Sequence, residues 1–159
     1  MSDNTHRSAP RYLMPTTAAG RLMGRFFNST IEGLTKLGVS VLGSRVLYVR
    51  GRKSGEWRTA PVNLLAYEGN HYLVAPRGHT QWVRNLRAAG AGELHVGRRI
   101  EKFTAYELTD ADKPAILREY LRRWKIEVAA FFEGIGADAT DAQLLAIAPG
   151  YPVFRIEIG

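Results

Sequence analysis

Five consecutive residues have the side chains and spacing best suited to chemistry in this sequence, namely Gly51, Arg52, Lys53, Ser54 and Gly55. Glycines let backbone N–H groups turn toward a ligand, while the two cations and the hydroxyl add hydrogen-bond donors. This combination predicts a cradle for an anion such as a phosphate. The alternative is a solvated hairpin turn, because all of these residue types are common in turns.

More cations and two aromatic rings lie close to this turn in the sequence. Trp57 and Trp82 stand beside basic residues, which suits a ligand that combines an aromatic ring with a charged tail. Single-stranded nucleic acid also combines stacking surfaces with phosphates, so it stays open as a second ligand class. The predicted anion-binding surface extends over Arg50, Arg58, Arg77, Gly78, Arg84, Asn85 and Arg87.

Several familiar catalytic motifs do not occur in the sequence. It contains no Walker A pattern, no GxGxxG after a predicted strand and no GxSxG elbow. Because there is no cysteine, there is no thiolate nucleophile and no Cys-based zinc site, and the four histidines stand apart without ligand spacing. We therefore predict no metal site, and the residues alone identify no catalytic side chain.

The composition is typical of a globular protein with an excess of positive charge. Of the 159 residues, 45% are hydrophobic and 23% are charged, and no apolar run approaches the roughly 20 residues that span a bilayer. A polar N-terminus without the apolar region of a secretory signal leads us to expect a cytoplasmic protein. The net charge of +7 predicts an anionic partner.

The order of the predicted elements favours an antiparallel barrel. Short β-branched and aromatic runs follow one another with turns between them, and residues 46–50, 58–67 and 71–75 form a meander. Strands without intervening helices cannot make the parallel crossovers of a doubly wound sheet. We expect a mainly β protein with flanking helices (α+β), built on a small antiparallel barrel. The other predicted strands span 93–96, 100–108 and 153–158, and the predicted helices span 80–89, 112–132 and 140–147.

The N-terminal part is predicted to differ from the barrel. Residues 1–17 read as a flexible arm, and residues 18–38 show apolar side chains at helical spacing, which predicts an amphipathic helix. The apolar stripe either packs on the barrel or contacts a membrane surface, so the cytoplasmic protein could also be membrane-peripheral. We expect residues 18–159 to form one domain.

The spaced motifs together resemble the deazaflavin (F420)-dependent nitroreductases, a family of split β-barrel oxidoreductases within the FMN-binding-split-barrel-like fold. The likeness is carried by GRKSG at 51–55, then Arg58 and Pro61, then YLVA at 72–75 with Arg77 and Gly78, and finally Trp82, Asn85 and Leu86. The resemblance implies coenzyme F420 as the cofactor, with FMN less favoured because the cations match a long anionic tail. The cofactor-binding residues that it implies are Gly51, Arg52, Lys53, Ser54, Gly55, Arg58, Pro61, Ala75, Arg77, Gly78, Trp82 and Asn85.

The resemblance further implies hydride transfer from reduced deazaflavin to an apolar acceptor, such as a quinone or a nitroaromatic compound. Better-known members have a serine where this chain has Pro76, and tyrosines on a helix where this chain offers Trp124 and Phe131. We take Trp124 and Phe131 as candidate substrate contacts. The alternative is a non-catalytic barrel that binds a fatty acid or another hydrophobic ligand. Nucleic-acid binding, which rests on charge alone, is the least favoured reading. The sequence leaves monomer and homodimer open.

Overall fold

The computed structural model describes residues 44–159, without the side chain of Ile126. The predicted N-terminal arm (residues 1–17) and the predicted amphipathic helix (residues 18–38) lie outside the described residues. In the part that is described, no helix is long and apolar enough to cross a membrane.

The described residues contain six antiparallel strands: β1 (Ser44–Arg50), β2 (Trp57–Tyr67), β3 (Asn70–Val74), β4 (Ala91–Val96), β5 (Arg99–Glu107) and β6 (Val153–Ile158). They form a closed barrel in the order β1-β2-β3-β6-β5-β4, with β4 pairing with β1 to complete the circle. This confirms the predicted small antiparallel barrel with helices outside it. The register is set by tight turns, of which the β2–β3 turn places Glu68 and Gly69 at positive φ.

Two hydrophobic cores follow from the alternation of side chains along the strands. One face fills the barrel interior, where Leu47, Leu73 and Phe154 are fully buried. The other face of β2, β3 and β6 packs against the outer helices through residues such as Leu65 and Val153. The barrel interior is thus filled by packed side chains.

Between residues 44 and 159, four α-helices flank the barrel: α1 (Gln81–Ala89), α2 (Pro114–Arg123), α3 (Lys125–Val128) and α4 (Asp141–Ile147). Helix α1 closes one mouth of the barrel by placing Val83 and Leu86 in the interior core. It ends at Gly90, whose φ of 70° is the left-handed conformation of a helix C-cap. Helix α4 starts with a complete capping box between Thr140 and Gln143.

The prediction of a single long helix over residues 112–132 is wrong. The chain forms a 3₁₀ turn (Asp110–Asp112), then α2, then α3, and then another 3₁₀ turn (Ala129–Phe131). The helix breaks at Trp124, where φ is −121° and ψ is 36°. The apolar spacing continues across the break, because Trp124, Val128 and Phe132 are all buried in the outer core. Periodicity therefore predicted the buried face correctly and the continuity of the backbone wrongly.

Candidate functional site

The turn at residues 51–55, between β1 and β2, leaves donors free at its apex. Its ends are closed by hydrogen bonds from Gly51 N to the Glu56 carbonyl (2.7 Å) and from Gly55 N to the Gly51 carbonyl (2.8 Å). Residue 55 has a φ of +74°, a left-handed conformation that glycine adopts without strain because it has no side chain. Within the described part of the chain, the N–H groups of Lys53 and Ser54 have no hydrogen-bond acceptor. Such free N–H groups in a tight turn attract anions.

The hydroxyl of Ser54 is set to donate outward from the same turn. Its Oγ accepts a hydrogen bond from Glu56 N at 3.1 Å and a longer one from Arg58 Nη2 at 3.4 Å. With both lone pairs used in this way, the hydroxyl proton is available for a ligand. Gly51 keeps the hydroxyl in place by its size, since a Cβ there would lie 3.1 Å from Ser54 Oγ.

Asn85, on helix α1, joins the turn to the mouth of the barrel. Its side-chain oxygen accepts from Arg52 N at 3.0 Å and from Arg52 Nη1 at 2.9 Å. Two donors at one atom identify that atom as the oxygen of the amide. Arg52 Nη1 also donates to the Gln81 side-chain oxygen at 2.9 Å. The guanidinium is therefore oriented by neutral oxygens, which leave its positive charge uncompensated.

A groove of about 610 Å³ lies between this turn and the start of helix α1. Its described lining includes three cations and no carboxylate, so the groove has a strongly positive potential. The nearest acid contact is Glu56, 3.8 Å from Arg58 Nη1, and both side chains are at least half exposed, so this pair is weak. The lining residues are Gly51, Arg52, Lys53, Ser54, Arg58, Thr59, Ala60, Thr80, Gln81, Trp82 and Asn85.

A second, smaller pocket of about 150 Å³ shares the wall formed by Ala60, Thr80 and Trp82. We call it the ring pocket, because a cavity of roughly this volume holds one benzene-sized ring. Its lining is mainly apolar, and Arg77 is its one cation among the described residues. The remaining lining residues are Pro61, Val62, Asn63, Val74, Pro76 and Tyr120.

Asn63 and Tyr120 place polar groups on the buried side of the ring pocket. They are only 3% and 1% exposed, and a hydrogen bond joins their side chains. Burial raises the pKa of the Tyr120 phenol well above its ordinary value, and the bond with Asn63 opposes that shift only in part. The phenol therefore stays neutral at physiological pH and keeps its hydrogen-bonding proton.

The loop at residues 76–80, which borders both cavities, is fastened to the C-terminal turn of the chain. Ala75 N donates to the Pro152 carbonyl at 2.9 Å, and His79 Nε2 donates to the Pro149 carbonyl at 2.9 Å. Between them Gly78 has a φ of +83°, a left-handed conformation that favours glycine, and a Cβ there would be in ordinary contact with the Gly150 carbonyl oxygen at 3.4 Å. These contacts position the loop from outside the barrel.

Two arginines of the predicted anion-binding surface have hydrogen-bond partners outside the groove. Arg87 forms a two-point ion pair with Glu107, at 2.6 Å and 2.7 Å, and this pair holds the pKa of the Glu107 carboxyl below its usual range. Arg84 Nε donates to the His79 carbonyl at 3.1 Å. Both arginines therefore support the loop and the barrel wall, and neither lines the groove.

The residues implied as cofactor contacts separate into three groups. Seven of them line the groove, and Pro61, Arg77 and Trp82 line the ring pocket, with Trp82 common to both. Gly55 and Gly78 shape the neighbouring turns, whereas Ala75 is buried in the barrel core. The seven groove residues are Gly51, Arg52, Lys53, Ser54, Arg58, Trp82 and Asn85.

The candidate substrate residues pack in or against the outer core. Trp124 is 3% exposed in the outer core, where its ring packs on Tyr120 with centroids 5.1 Å apart. Phe131 is half-buried against the same core, and its carbonyl accepts a hydrogen bond from the Tyr151 hydroxyl. Neither residue lines the groove or the ring pocket. Their role toward a substrate stays a prediction.

Several lining residues escaped the sequence analysis. Thr80 and Gln81 show only the signal of a helix start, and Asn63 and Tyr120 have the pattern of ordinary strand and helix residues. Asn63 does carry a signal in retrospect, since it is a polar residue between the apolar Val62 and Leu64 of a central strand. In the described range, no group of three or more His, Asp or Glu residues is placed to hold a metal ion.

Comparison with known proteins places these observations in a family. Residues 25–134 match the sequence profile of the F420H(2)-dependent quinone reductase family. The fold is similar to the solved structure of an F420-H2 dependent reductase (FDR-A), with 20% identity, a TM-score of 0.50, and coverage of 72% of this chain and 94% of that one. A solved F420 reductase is 9% identical, with a TM-score of 0.47 and coverage of 82% and 94% respectively. No curated protein is significantly similar in sequence.

Proposed function

We propose, from the premise that this chain belongs to the F420H(2)-dependent quinone reductase family, that the groove holds the anionic tail of the cofactor and the ring pocket receives the ring of the acceptor. The chain is an oxidoreductase, and its cofactor is coenzyme F420. When bound and reduced, the deazaflavin supplies a hydride. The side chains of the protein bind and orient the reactants and keep water away from them.

The observation that carries the proposal is the uncompensated charge of the groove. Arg52, Lys53 and Arg58 line it without a carboxylate among the described lining residues, and the tail of F420 carries a phosphate and several glutamates. Arg52 is held by neutral amide oxygens, so its charge remains available to a ligand. Charge-assisted hydrogen bonds from arginine and lysine are the usual means of binding phosphate and carboxylate groups.

The volumes of the two cavities indicate which ligand each of them holds. The groove, at about 610 Å³, has the size of a site for a whole cofactor or drug-sized ligand. The ring pocket, at about 150 Å³, has the volume of a cavity that holds one benzene-sized ring. Trp82 lies in the wall common to both, where its ring offers a flat surface to the deazaflavin.

A quinone or a nitroaromatic compound is the acceptor that the ring pocket fits best. Pro61, Val62 and Val74 offer apolar surface to a ring, while Asn63 and Tyr120 offer hydrogen bonds at its buried side. A ring with an oxygen substituent satisfies both requirements, because its carbonyl or nitro oxygen accepts a hydrogen bond.

Family membership favours the oxidoreductase over the alternative of a non-catalytic barrel that binds a hydrophobic ligand. In that alternative, the cationic groove would bind no cofactor. The same groove argues against nucleic acid, because the ring pocket beside it has room for one ring and no continuing cationic track among its described residues. Runs of stacked bases need a surface that repeats along the strand.

The test is a titration with oxidised F420 of the wild type and of the Lys53→Ala and Arg58→Ala variants. Each variant should bind F420 about tenfold or more weakly, since a charge-assisted hydrogen bond contributes about 1.5–3 kcal/mol. Thermal stability should hardly change, because both side chains are exposed. The matched control is Arg98→Ala, which removes an exposed cation from the β4–β5 turn and lines neither cavity.

Two results would contradict the assignment. If both groove variants bind F420 like the wild type, the tail does not lie in the groove. If Arg98→Ala weakens binding as much as they do, only the net charge of the protein matters. FMN should bind more weakly than F420 to the wild type, because its single phosphate engages fewer of these donors.

A further inference from the structure

The side chain of Thr80 occupies an unusual place between the two cavities. Its residue lines both the groove and the ring pocket. Its hydroxyl oxygen is buried and has no hydrogen-bond partner among the described residues. A buried hydroxyl without a partner costs free energy, and native proteins keep few of them.

The local backbone does not explain this hydroxyl. Thr80 is the residue before helix α1 and has the extended backbone of an N-cap, with φ of −79° and ψ of −179°. A threonine in this position normally accepts a hydrogen bond from the first turn of its helix, but here no such bond forms. Its backbone is satisfied, since its N–H donates to Gly78 and its carbonyl accepts from Arg84. Only the side chain lacks a partner.

We propose that the Thr80 side chain, whose hydroxyl is buried in the unliganded protein, turns about its Cα–Cβ bond when the cofactor binds. Its hydroxyl then forms a hydrogen bond with the cofactor at the wall shared by the groove and the ring pocket. The inference rests on the proposed function. The deazaflavin has three fused rings, and the groove is the larger of these two cavities, so we place the ring system in the groove against the shared wall. Thr80 and Trp82 form that wall with Ala60, and the deazaflavin carries oxygen and nitrogen atoms that accept hydrogen bonds.

The proposal gives a substitution two effects of opposite sign. In Thr80→Val, a methyl group of similar shape replaces the hydroxyl, so the unliganded protein no longer buries an unpaired polar group. Its melting temperature should rise by about 2–4 °C. The same variant should bind oxidised F420 about tenfold more weakly, because the bond to the cofactor is lost. If the hydroxyl had a purely structural role, Thr80→Val would lower both the melting temperature and the affinity for F420.

The experiment measures melting temperature without ligand and the dissociation constant for oxidised F420. Thr80→Ser, which keeps the hydroxyl, should restore affinity to near the wild-type value. Thr104→Val is the matched control: it removes an exposed threonine hydroxyl from β5 that lines neither cavity, and it should change neither the melting temperature nor the affinity appreciably.

The outcomes separate this inference from the proposed function. If the wild type binds F420 and Thr80→Val binds it equally well, the role of the hydroxyl is overturned and the groove assignment stands. If Thr80→Val melts at a lower temperature, the hydroxyl has a structural partner and the inference is again overturned. If the wild type does not bind F420, the proposed function fails, and this inference fails with it.

Discussion

Replacing Asn85 by aspartate tests the electrostatic basis of the groove without disturbing its geometry. Toward Arg52, the Asn85 side-chain oxygen acts as a hydrogen-bond acceptor. A carboxylate oxygen at the same position can accept the same two hydrogen bonds. Asn85→Asp should therefore keep the turn attached to helix α1. What changes is the charge of the lining, which falls from three positive groups and no negative one to a net charge of +2.

The magnitude follows from Coulomb's law. A unit charge about 4 Å from an anion is worth about 1 kcal/mol in bulk water and about 4 kcal/mol at the effective dielectric constant near a protein surface. Because the cations are exposed and the groove is open, water screens the effect toward the lower value. We expect a loss of about 1–2 kcal/mol, which weakens F420 binding roughly 5- to 30-fold.

Calorimetric titration with oxidised F420 at low salt and at about 1 M salt is the appropriate assay. The difference between the wild type and Asn85→Asp should shrink at high salt, where the screening length falls to about 3 Å. Asn85→Leu is the control for geometry, since it removes both hydrogen bonds to Arg52. It should lose about 1–3 kcal/mol of stability, whereas Asn85→Asp should retain stability.

One result would refute this reasoning. If Asn85→Asp is folded and binds F420 as tightly as the wild type at low salt, the charge of the groove does not contribute to binding. Gln81→Glu, which adds the same charge beside Arg52 at a more exposed position, should show a smaller effect in the same direction. A larger effect there would mean that the anion lies nearer to the helix start than to the turn.

Three further predictions concern the framework of the site. Trp124→Ala should cost about 3–5 kcal/mol of stability and Phe131→Ala less, because only Trp124 is fully buried; a folded variant with a raised acceptor KM would instead support the predicted substrate contact. Burial raises the pKa of Tyr48 to about 12, so the folded state holds the proton more tightly, and the free energy of unfolding should fall between about pH 10 and pH 12, less so in Tyr48→Phe. Gly92→Ala should lower the melting temperature, because its Cβ would lie 2.7 Å from the Tyr48 carbonyl oxygen.

The sequence predicted the barrel well because its signals are local. Each strand begins and ends within about two residues of its predicted limits, since alternation and turn residues act over short stretches. The basic turn at residues 51–55 and its neighbour Asn85 were predicted for the same reason, as recognisable residue types in a short motif. The break of the helix at Trp124 was missed because packing against the outer core, and not local sequence, decides it.

The polar part of the site was harder to predict. Asn63 and Tyr120 become a pair only when strand β2 meets helix α2, so their spacing in the sequence carries no information about it. Arg87 has the appearance of an anion ligand, yet Glu107 from a strand twenty residues later neutralises it. The residue type shows which interactions a side chain can make, and the fold determines which partner it contacts.

The fastening of the loop at residues 76–80 connects events at the site to the end of the chain. His79 and Ala75 bind the carbonyls of Pro149 and Pro152, and the buried Lys113 holds the Ala148 carbonyl at 2.9 Å from the other side. A ligand that contacts this loop should therefore also reduce local unfolding of the C-terminal turn at residues 148–152. Amide hydrogen exchange should slow at Gly150 and Tyr151 when the groove is filled, although neither residue lines it. Occupancy of the groove can thus be followed by isotope labelling of a segment that lies outside it.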